Sequence, residues 1–238
     1  MSQATVAFTD SSWGVFTNPA RLSRLGVWQV GSSYSKLFGL DQLAYSVISA
    51  GGPLNDSSGL ALGLTSFGTS PYQENQLFLG GGATCLQYFQ LGAAARLAQV
   101  KIGSQQPASG FGLDLGLLVN LGSRFRLAGY FKELLPALDY TWSRSSNVYG
   151  FSCQITPKAT LTSAVLLEPG FLPSWRVGQE IRLTEYFALR SGWSANPDRF
   201  SFGLGFQEGC WQVDYALTSH EVLQLTHLFT LNFIWGRL

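Results

Sequence analysis

Residues 200–206 (FSFGLGF) carry a large apolar side chain at every second position, with serine or glycine between them. Residues 211–217 (WQVDYAL) repeat this alternation, with Gln212, Asp214 and Ala216 on the second face. Successive side chains of a strand point to opposite faces, so both stretches are predicted to be two-faced strands. A soluble sandwich would expose a charged face and bury a bulky one. Here charges share a face with glycine and alanine, which predicts a barrel that is apolar outside and polar inside.

The composition agrees with a membrane barrel. Only 12% of the 238 residues are charged and 46% are hydrophobic, whereas soluble domains have about 25% charged residues. The formal net charge of +1 gives no reason to expect a nucleic-acid partner. The sequence has no run of 18 or more uncharged apolar residues, so it predicts no transmembrane helix. The opening MSQA has no signal peptide, so we expect a mature protein of the bacterial outer membrane whose leader has been removed.

Fourteen segments alternate or are bounded by turn residues, which predicts an all-β, transmembrane antiparallel barrel of about 14 strands. They lie near 27–38, 44–52, 58–67, 75–83, 88–102, 110–121, 125–134, 147–156, 159–168, 173–183, 186–194, 198–206, 209–217 and 226–236. The later gaps alternate between short ones (157–158, 184–185, 207–208) and longer ones (135–146, 169–172, 218–225). Short periplasmic turns and longer external loops are typical of such barrels, so both termini are predicted to be periplasmic.

The residues before the first strand suit a short helical plug, which divides the chain into an N-terminal segment, 1–26, and a barrel, 27–238. Asn18 can cap a helix, Pro19 is tolerated in its first turn, and Leu22 and Leu25 have helical spacing. Glycines on the inward faces leave room for a ligand or for a closely approaching segment. We expect the chain's own residues 1–26 to fill that room at Gly112, Gly116, Gly178, Gly192, Gly203 and Gly205.

Charged residues also have inward parity, and a charge in a lumen must be paired or wet. They form either a polar pathway or a salt-bridge network that braces the wall, and the sequence leaves both open. The predicted network comprises Arg96, Asp114, Arg126, Lys132, Arg176, Glu180, Arg182, Arg190 and Asp214.

Tryptophans recur near the predicted strand ends, where indole rings favour the membrane interface. They are Trp13, Trp175, Trp193, Trp211 and Trp235. Cys85, Cys153 and Cys210 have neither the spacing of a metal site nor an even number, so we expect free thiols that pack as small apolar residues, with no cofactor.

Four stretches, in order along the chain, resemble the PorV/PorQ-like family of outer-membrane barrels, relatives of the FadL-type fatty-acid channels. They are 14–25 (GVFTNPARLSRL, with Asn18, Pro19 and Ala20 as its NPA motif), 110–118, 186–192, and 213–216 followed by 226–227. The resemblance implies a fourteen-stranded barrel with a short N-terminal helical segment at or in the lumen. Family members serve type IX secretion, and FadL relatives carry hydrophobic molecules.

These observations favour a structural or partner-binding component of an envelope or secretion assembly, PorV-like, in contact with lipid and other envelope proteins. The alternative is a FadL-like channel with a hydrophobic ligand in its lumen, and a soluble β-sandwich or barrel is a third hypothesis. An enzyme is not expected: His227 and Ser191 both have outward parity, but no G-x-S-x-G motif is present.

Overall fold

The computed structural model describes residues 4–8, 11–134 and 145–236, and it is a closed barrel of fourteen antiparallel strands. Each strand pairs with the next along the chain, and the last pairs with the first. The predicted fold class is therefore confirmed. The strands are β1 Trp28–Lys36, β2 Ala44–Asn55, β3 Ser58–Phe67, β4 Tyr72–Leu86, β5 Phe89–Ile102, β6 Ala108–Leu121, β7 Phe125–Lys132, β8 Ser146–Thr156, β9 Ala159–Leu167, β10 Ser174–Arg182, β11 Phe187–Ser194, β12 Arg199–Glu208, β13 Trp211–Thr218 and β14 Thr226–Trp235.

Helical structure is confined to short pieces. One α-helical turn, α1, spans Gly14–Thr17, and 3₁₀ turns span Pro19–Arg24, Leu37–Gly39 and Asp41–Leu43. Within the described ranges, no helix has the length and apolar character needed to cross a membrane.

The two ends of the barrel differ in their connections. One end, the turn rim, holds the start of β1 next to the end of β14 and has turns of two to four residues, at 56–57, 87–88, 122–124, 157–158, 183–186 and 209–210. The other end, the loop rim, has described connections of four to seven residues, at 37–43, 68–71, 103–107, 168–173, 195–198 and 219–225. Most of the predicted long gap at 135–146 lies outside the described residues. Short turns mark the periplasmic side of such barrels, so the turn rim is the periplasmic one.

The outer face of the barrel is apolar. On β12 the outward Phe202 is 63% exposed, while the neighbouring inward Ser201 is buried, and Val213 on β13 is also exposed. Exposed apolar side chains of this size, continued around the wall, would be unfavourable in water and are stabilised by lipid. The orientation predicted from the alternation is the one that the structure has.

The tryptophans of the strands lie outward at both rims. Trp175 and Trp193 are exposed at the loop rim, and Trp211 and Trp235 at the turn rim, where Trp28 joins them. The placement of Trp13 among the interface residues is wrong, because its indole Nε1 donates a hydrogen bond to Asn232 Oδ1 (2.8 Å) on the inner wall.

Candidate functional site

The N-terminal segment lies inside the barrel. Its 3₁₀ turn Pro19–Arg24 packs against β2 to β6, and α1 packs against β3 and β4. The apolar side chains Val15, Leu22 and Leu25 are buried there, together with Phe78 of β4. The segment therefore behaves as a plug with its own small apolar core against one side of the wall.

Glycines of the wall make room for this plug. A Cβ added to Gly82 would lie 2.5 Å from Pro19 O, and one added to Gly92 would lie 2.2 Å from the carbonyl carbon of the same residue. A Cβ at Gly116 would lie 2.1 Å from Asn18 Oδ1. Backbone can approach this closely only where the wall has no side chain.

The N-terminal segment fills the space beside Gly116, as expected, but it does not fill the space beside every inward glycine. Gly112 faces Arg96, and Gly205 faces Arg190 and Asp214. At those two positions the space is filled by side chains of the wall itself. The nearest neighbours of Gly203 are likewise Tyr215 O, Arg190 Cβ and Ala216 Cβ, which belong to the wall.

Asn18 is the polar anchor of the plug. It is fully buried, its Nδ2 donates to Val6 O (3.2 Å) and Leu117 O (3.1 Å), and its Oδ1 accepts from Ala20 N (3.1 Å). This last bond caps the 3₁₀ turn that begins at Pro19. One side chain thus ties together two parts of the N-terminal segment and the barrel wall.

Further bonds anchor the segment at other strands. Ser152 Oγ donates to Ala7 O (3.0 Å), and Arg126 Nη1 donates to Phe8 O (2.9 Å). Ser12 Oγ and Ser49 Oγ are 2.8 Å apart and fully buried. Together with the bond from Trp13 to β14, these contacts show that the segment reaches across the lumen.

One group of inward charges is dry. Arg96 is 4% exposed, Asp114 0% and Glu133 5%. Arg96 forms an ion pair with Glu133 and lies 4.0 Å from Asp114, whose carboxylate also accepts from Tyr130 Oη (2.7 Å) and Glu133 N (2.9 Å). We call Arg96, Asp114, Tyr130 and Glu133 the dry cluster.

In a second group of inward charges the acid Glu180 is buried (5% exposed), but the charged side chains around it are in contact with water. Arg190 Nε lies 2.7 Å from Glu180 Oε2, and its Nη1 forms an ion pair with Asp214. The side chains of Arg190 and Asp214 are 23% and 19% exposed, and Arg182, 3.4 Å from Glu180, is 63% exposed. These four residues, the wet cluster, line a cavity of about 310 Å³ near the turn rim.

Eight of the nine predicted lumen charges have now been located. Six belong to the two clusters, Arg126 contacts the plug, and Arg176 lies half-buried at the loop-rim end of β10. Lys132 ends β7 with inward parity and is also half-buried. Glu133 was missed because the strand predicted at 125–134 gives it outward parity, whereas β7 ends at Lys132 and Glu133 lies beyond it. Its positive φ of 61° turns the chain back toward Asp114.

Aromatic side chains lie on the inner wall at two levels, at the loop rim and against the plug, with Glu74 and Gln76 of β4 between them. Tyr45 and Phe67 have ring centroids 6.2 Å apart, as do Phe67 and Tyr72. Deeper in the lumen, Phe78 contacts Phe16 of the plug edge to face, with a centroid distance of 5.0 Å. Sequence reasoning missed this series, although the inward parity of these positions on β2, β3 and β4 could have found it.

The two residues considered for hydrolysis are not brought together. His227 Nδ1 and Tyr215 Oη are 2.8 Å apart, and Ser191 Oγ accepts from Gln179 Nε2 (3.0 Å). Ser191 is on β11 and His227 on β14, with two strands between them. Within the described ranges, no group of three or more His, Cys, Asp or Glu side chains could hold a metal ion.

Neither a protein-family model nor a curated protein sequence matches the chain. Solved structures do. The CymD monoaromatic hydrocarbon channel matches with a TM-score of 0.73 at 12% identity, over 98% of this chain and 94% of that one. The Pseudomonas putida toluene transporter TodX gives 0.71 at 13%, over 98% and 96%. A Pseudomonas aeruginosa FadL homologue gives 0.66 at 11%, over 98% and 95%.

At these identities the likeness concerns the fold. It is the fold of FadL-type outer-membrane barrels, which supports the FadL half of the resemblance, while none of the three structures supports the PorV/PorQ half. Two of these structural neighbours are described as a channel and a transporter. The closed barrel with its apolar outer face confirms the predicted location in a bacterial outer membrane.

Proposed function

We propose that the protein is an outer-membrane channel for hydrophobic small molecules, with monoaromatic hydrocarbons as its best-fitting class. The observation that carries the proposal is the inward aromatic series, from Tyr45, Phe67 and Tyr72 at the loop rim to Phe78 and Phe16 at the plug. Aromatic faces and edges bind flat apolar molecules by offset and edge-to-face contacts. An apolar molecule that enters at the loop rim thus meets aromatic surfaces there and again at the plug, and it passes Glu74, which accepts from Tyr72 Oη, between them.

The plug gives such a channel its gate. It is held by separate polar anchors at Asn18, Ser12 and Arg126 rather than by a covalent link. Each neutral anchor contributes about 0.5–1.5 kcal/mol, and the buried apolar side chains Val15, Leu22 and Leu25 add to it, so release breaks several weak contacts rather than one strong bond. A molecule at Phe16 and Phe78 touches the plug and the wall together, so its binding is coupled to the position of the plug.

Uptake of a labelled monoaromatic hydrocarbon, toluene, by cells that carry the barrel in their outer membrane tests the proposal. We expect uptake above that of cells without the barrel, and a loss of about tenfold for Phe67→Asp, since it replaces an apolar ring by a second carboxylate opposite Glu74. Phe67→Leu is the matched control and should retain most of the uptake. Equal uptake with and without the barrel would exclude the channel.

A second candidate is the PorV-like role in an envelope or secretion assembly. One feature of the outer face favours it: Gln179 and Ser191 form a hydrogen-bonded pair that points away from the lumen. Polar side chains that face lipid are unfavourable, whereas a protein partner can satisfy them. Purification from native membranes tests this role. A stoichiometric partner that is lost in Gln179→Leu would support it, and recovery of the barrel alone would count against it.

A further inference from the structure

A polar cavity of about 290 Å³ opens at the turn rim, beside the plug. The turn at 122–124 and the turn at 157–158 form one side of it, the inner faces of β8 to β10 form another, and Phe8 of the plug lines it from the lumen. It lies on the periplasmic side of the barrel, away from the aromatic series at the loop rim.

Cations dominate the lining of this cavity. Arg124, Arg126, Lys158 and Arg182 contribute four positive charges, and Glu180 is the one acid among the described lining residues. Glu180 is already engaged by Arg190 of the wet cluster at 2.7 Å.

Two of these cations have no acidic partner in the part of the chain that the structure describes. Arg124 and Lys158 form no ion pair within 4.0 Å there, and both are exposed at the mouth. Like charges that converge on one cavity repel each other, and they raise the local concentration of anions. The cavity is therefore complementary to a negatively charged ligand.

The other residues that line the cavity indicate which kind of anion it can bind. Phe8 and Pro157 offer apolar surfaces and Thr160 offers a hydroxyl group, while the hydroxyl of Ser152 already donates to Ala7 O. A carboxylate accepts from arginine in a two-point arrangement, and an attached ring or short chain packs on the apolar surfaces. We propose that this cavity is a binding site for a small organic carboxylate at the periplasmic mouth of the barrel.

The site is built partly from the plug. Arg126 donates to Phe8 O and Ser152 to Ala7 O, so two lining residues fix the plug residues that border the cavity. The site requires no passage through the lumen. A failure of this proposal would therefore leave the proposed channel unaffected, and the reverse also holds.

Calorimetric titration of the full chain in an uncharged detergent tests the site, with benzoate as the probe. Benzyl alcohol is the neutral comparison, because it has a similar shape without the charge. The double variant Arg124→Ala and Lys158→Ala removes the two unpaired cations. The double variant Lys36→Ala and Lys101→Ala removes two exposed cations from the loop rim as a matched control.

We expect saturable benzoate binding that is at least about tenfold weaker in the turn-rim variant and unchanged in the loop-rim variant. Added salt should weaken binding to the unaltered protein, which keeps the test open if the turn-rim variant fails to fold. Benzyl alcohol that binds as tightly as benzoate would overturn the proposal. So would inorganic phosphate that binds more tightly, because the site would then be one for inorganic anions.

Discussion

Two charged clusters share the inner wall of this barrel, and they differ in their contact with water. In the dry cluster, Arg96 and both acids are at most 5% exposed and lie on the side of the wall that carries the plug. In the wet cluster, Arg190 and Asp214 are about a fifth exposed and border an open cavity. The sequence left open whether the lumen charges brace the wall or line a pathway. We propose that the two clusters divide these roles, the dry one bracing the wall and the wet one lining accessible space.

The difference follows from what lies next to each cluster. Phe78 contacts Phe16 of the plug, and the guanidinium of Arg96 lies over the Phe78 ring, 5.8 Å from its centroid. The plug and the aromatic contacts thus exclude water on that side. Beside the wet cluster, the nearest atoms to Gly203 and Gly205 belong to the wall, namely the backbone of Tyr215 and the side chains of Arg190 and Asp214.

The largest effect is expected from Arg96→Met. It leaves Asp114 and Glu133 buried without their cation, which should cost about 3–5 kcal/mol of unfolding free energy. The matched variant Arg190→Met should cost less, about 1–3 kcal/mol, because Asp214 is 19% exposed and Arg182 remains 3.4 Å from the buried Glu180. Urea titrations in lipid vesicles measure both. Equal losses would show that the two clusters do not differ.

A smaller effect is expected where the plug meets the wall. Gly92→Ala sets a methyl group 2.2 Å from the backbone of Pro19, and overpacking of this kind costs about 1–3 kcal/mol. We expect the plug to detach, which limited proteolysis of the N-terminal segment reports. Gly81→Ala on the adjacent strand is the control, since the nearest atom to its new methyl is 3.6 Å away. Protection of the N-terminal segment in Gly92→Ala would contradict the observed packing.

Much of this architecture could be predicted from the sequence. Strict alternation fixed the orientation of β12 and β13, and the bounds predicted for β3 agree with Ser58–Phe67. The turn predicted at 157–158 is present in the structure. The turn predicted at 207–208 lies instead at 209–210, because β12 runs on to Glu208. Alternation carries this information because the side-chain period of a strand is two. A shift of one residue would turn the apolar face of a strand from the lipid into the lumen.

The contents of the lumen were less predictable. Glu133 lies beyond the end of β7, so the outward parity that the predicted strand gave it does not apply. Trp13 lies in a segment with no strand period, so no pattern gave its orientation. Cys85 was expected to pack as a small apolar residue, but it is exposed, although all three cysteines are free. Contacts between a wall and a plug depend on tertiary packing, which a local pattern does not contain.

The smallest effect is expected from Arg182→Gln in the wet cluster. Its side chain is 63% exposed and 3.4 Å from Glu180, and exposed ion pairs of this type contribute less than about 1 kcal/mol. The loss should disappear at high salt, because salt screens exposed charges far more than buried ones. The loss for Arg96→Met should persist at the same salt concentration. Salt-independent stability changes in both variants would contradict the division into a dry and a wet side.

Toluene uptake with the plug fixed to the wall tests whether molecules pass through the lumen when the plug moves. Ser12 and Ser49 place their Oγ atoms 2.8 Å apart, so cysteines at both positions bring two sulfurs within bonding reach. Cys85, Cys153 and Cys210 are first replaced by serine. Ser33→Cys with Thr230→Cys, whose hydroxyls are 2.9 Å apart within the wall, is the control.

Oxidation of the Ser12→Cys and Ser49→Cys variant should lower uptake to the level of cells without the barrel, and reduction should restore it, while the control transports in both states. Undiminished uptake by the oxidised variant would contradict a gate formed by the N-terminal segment.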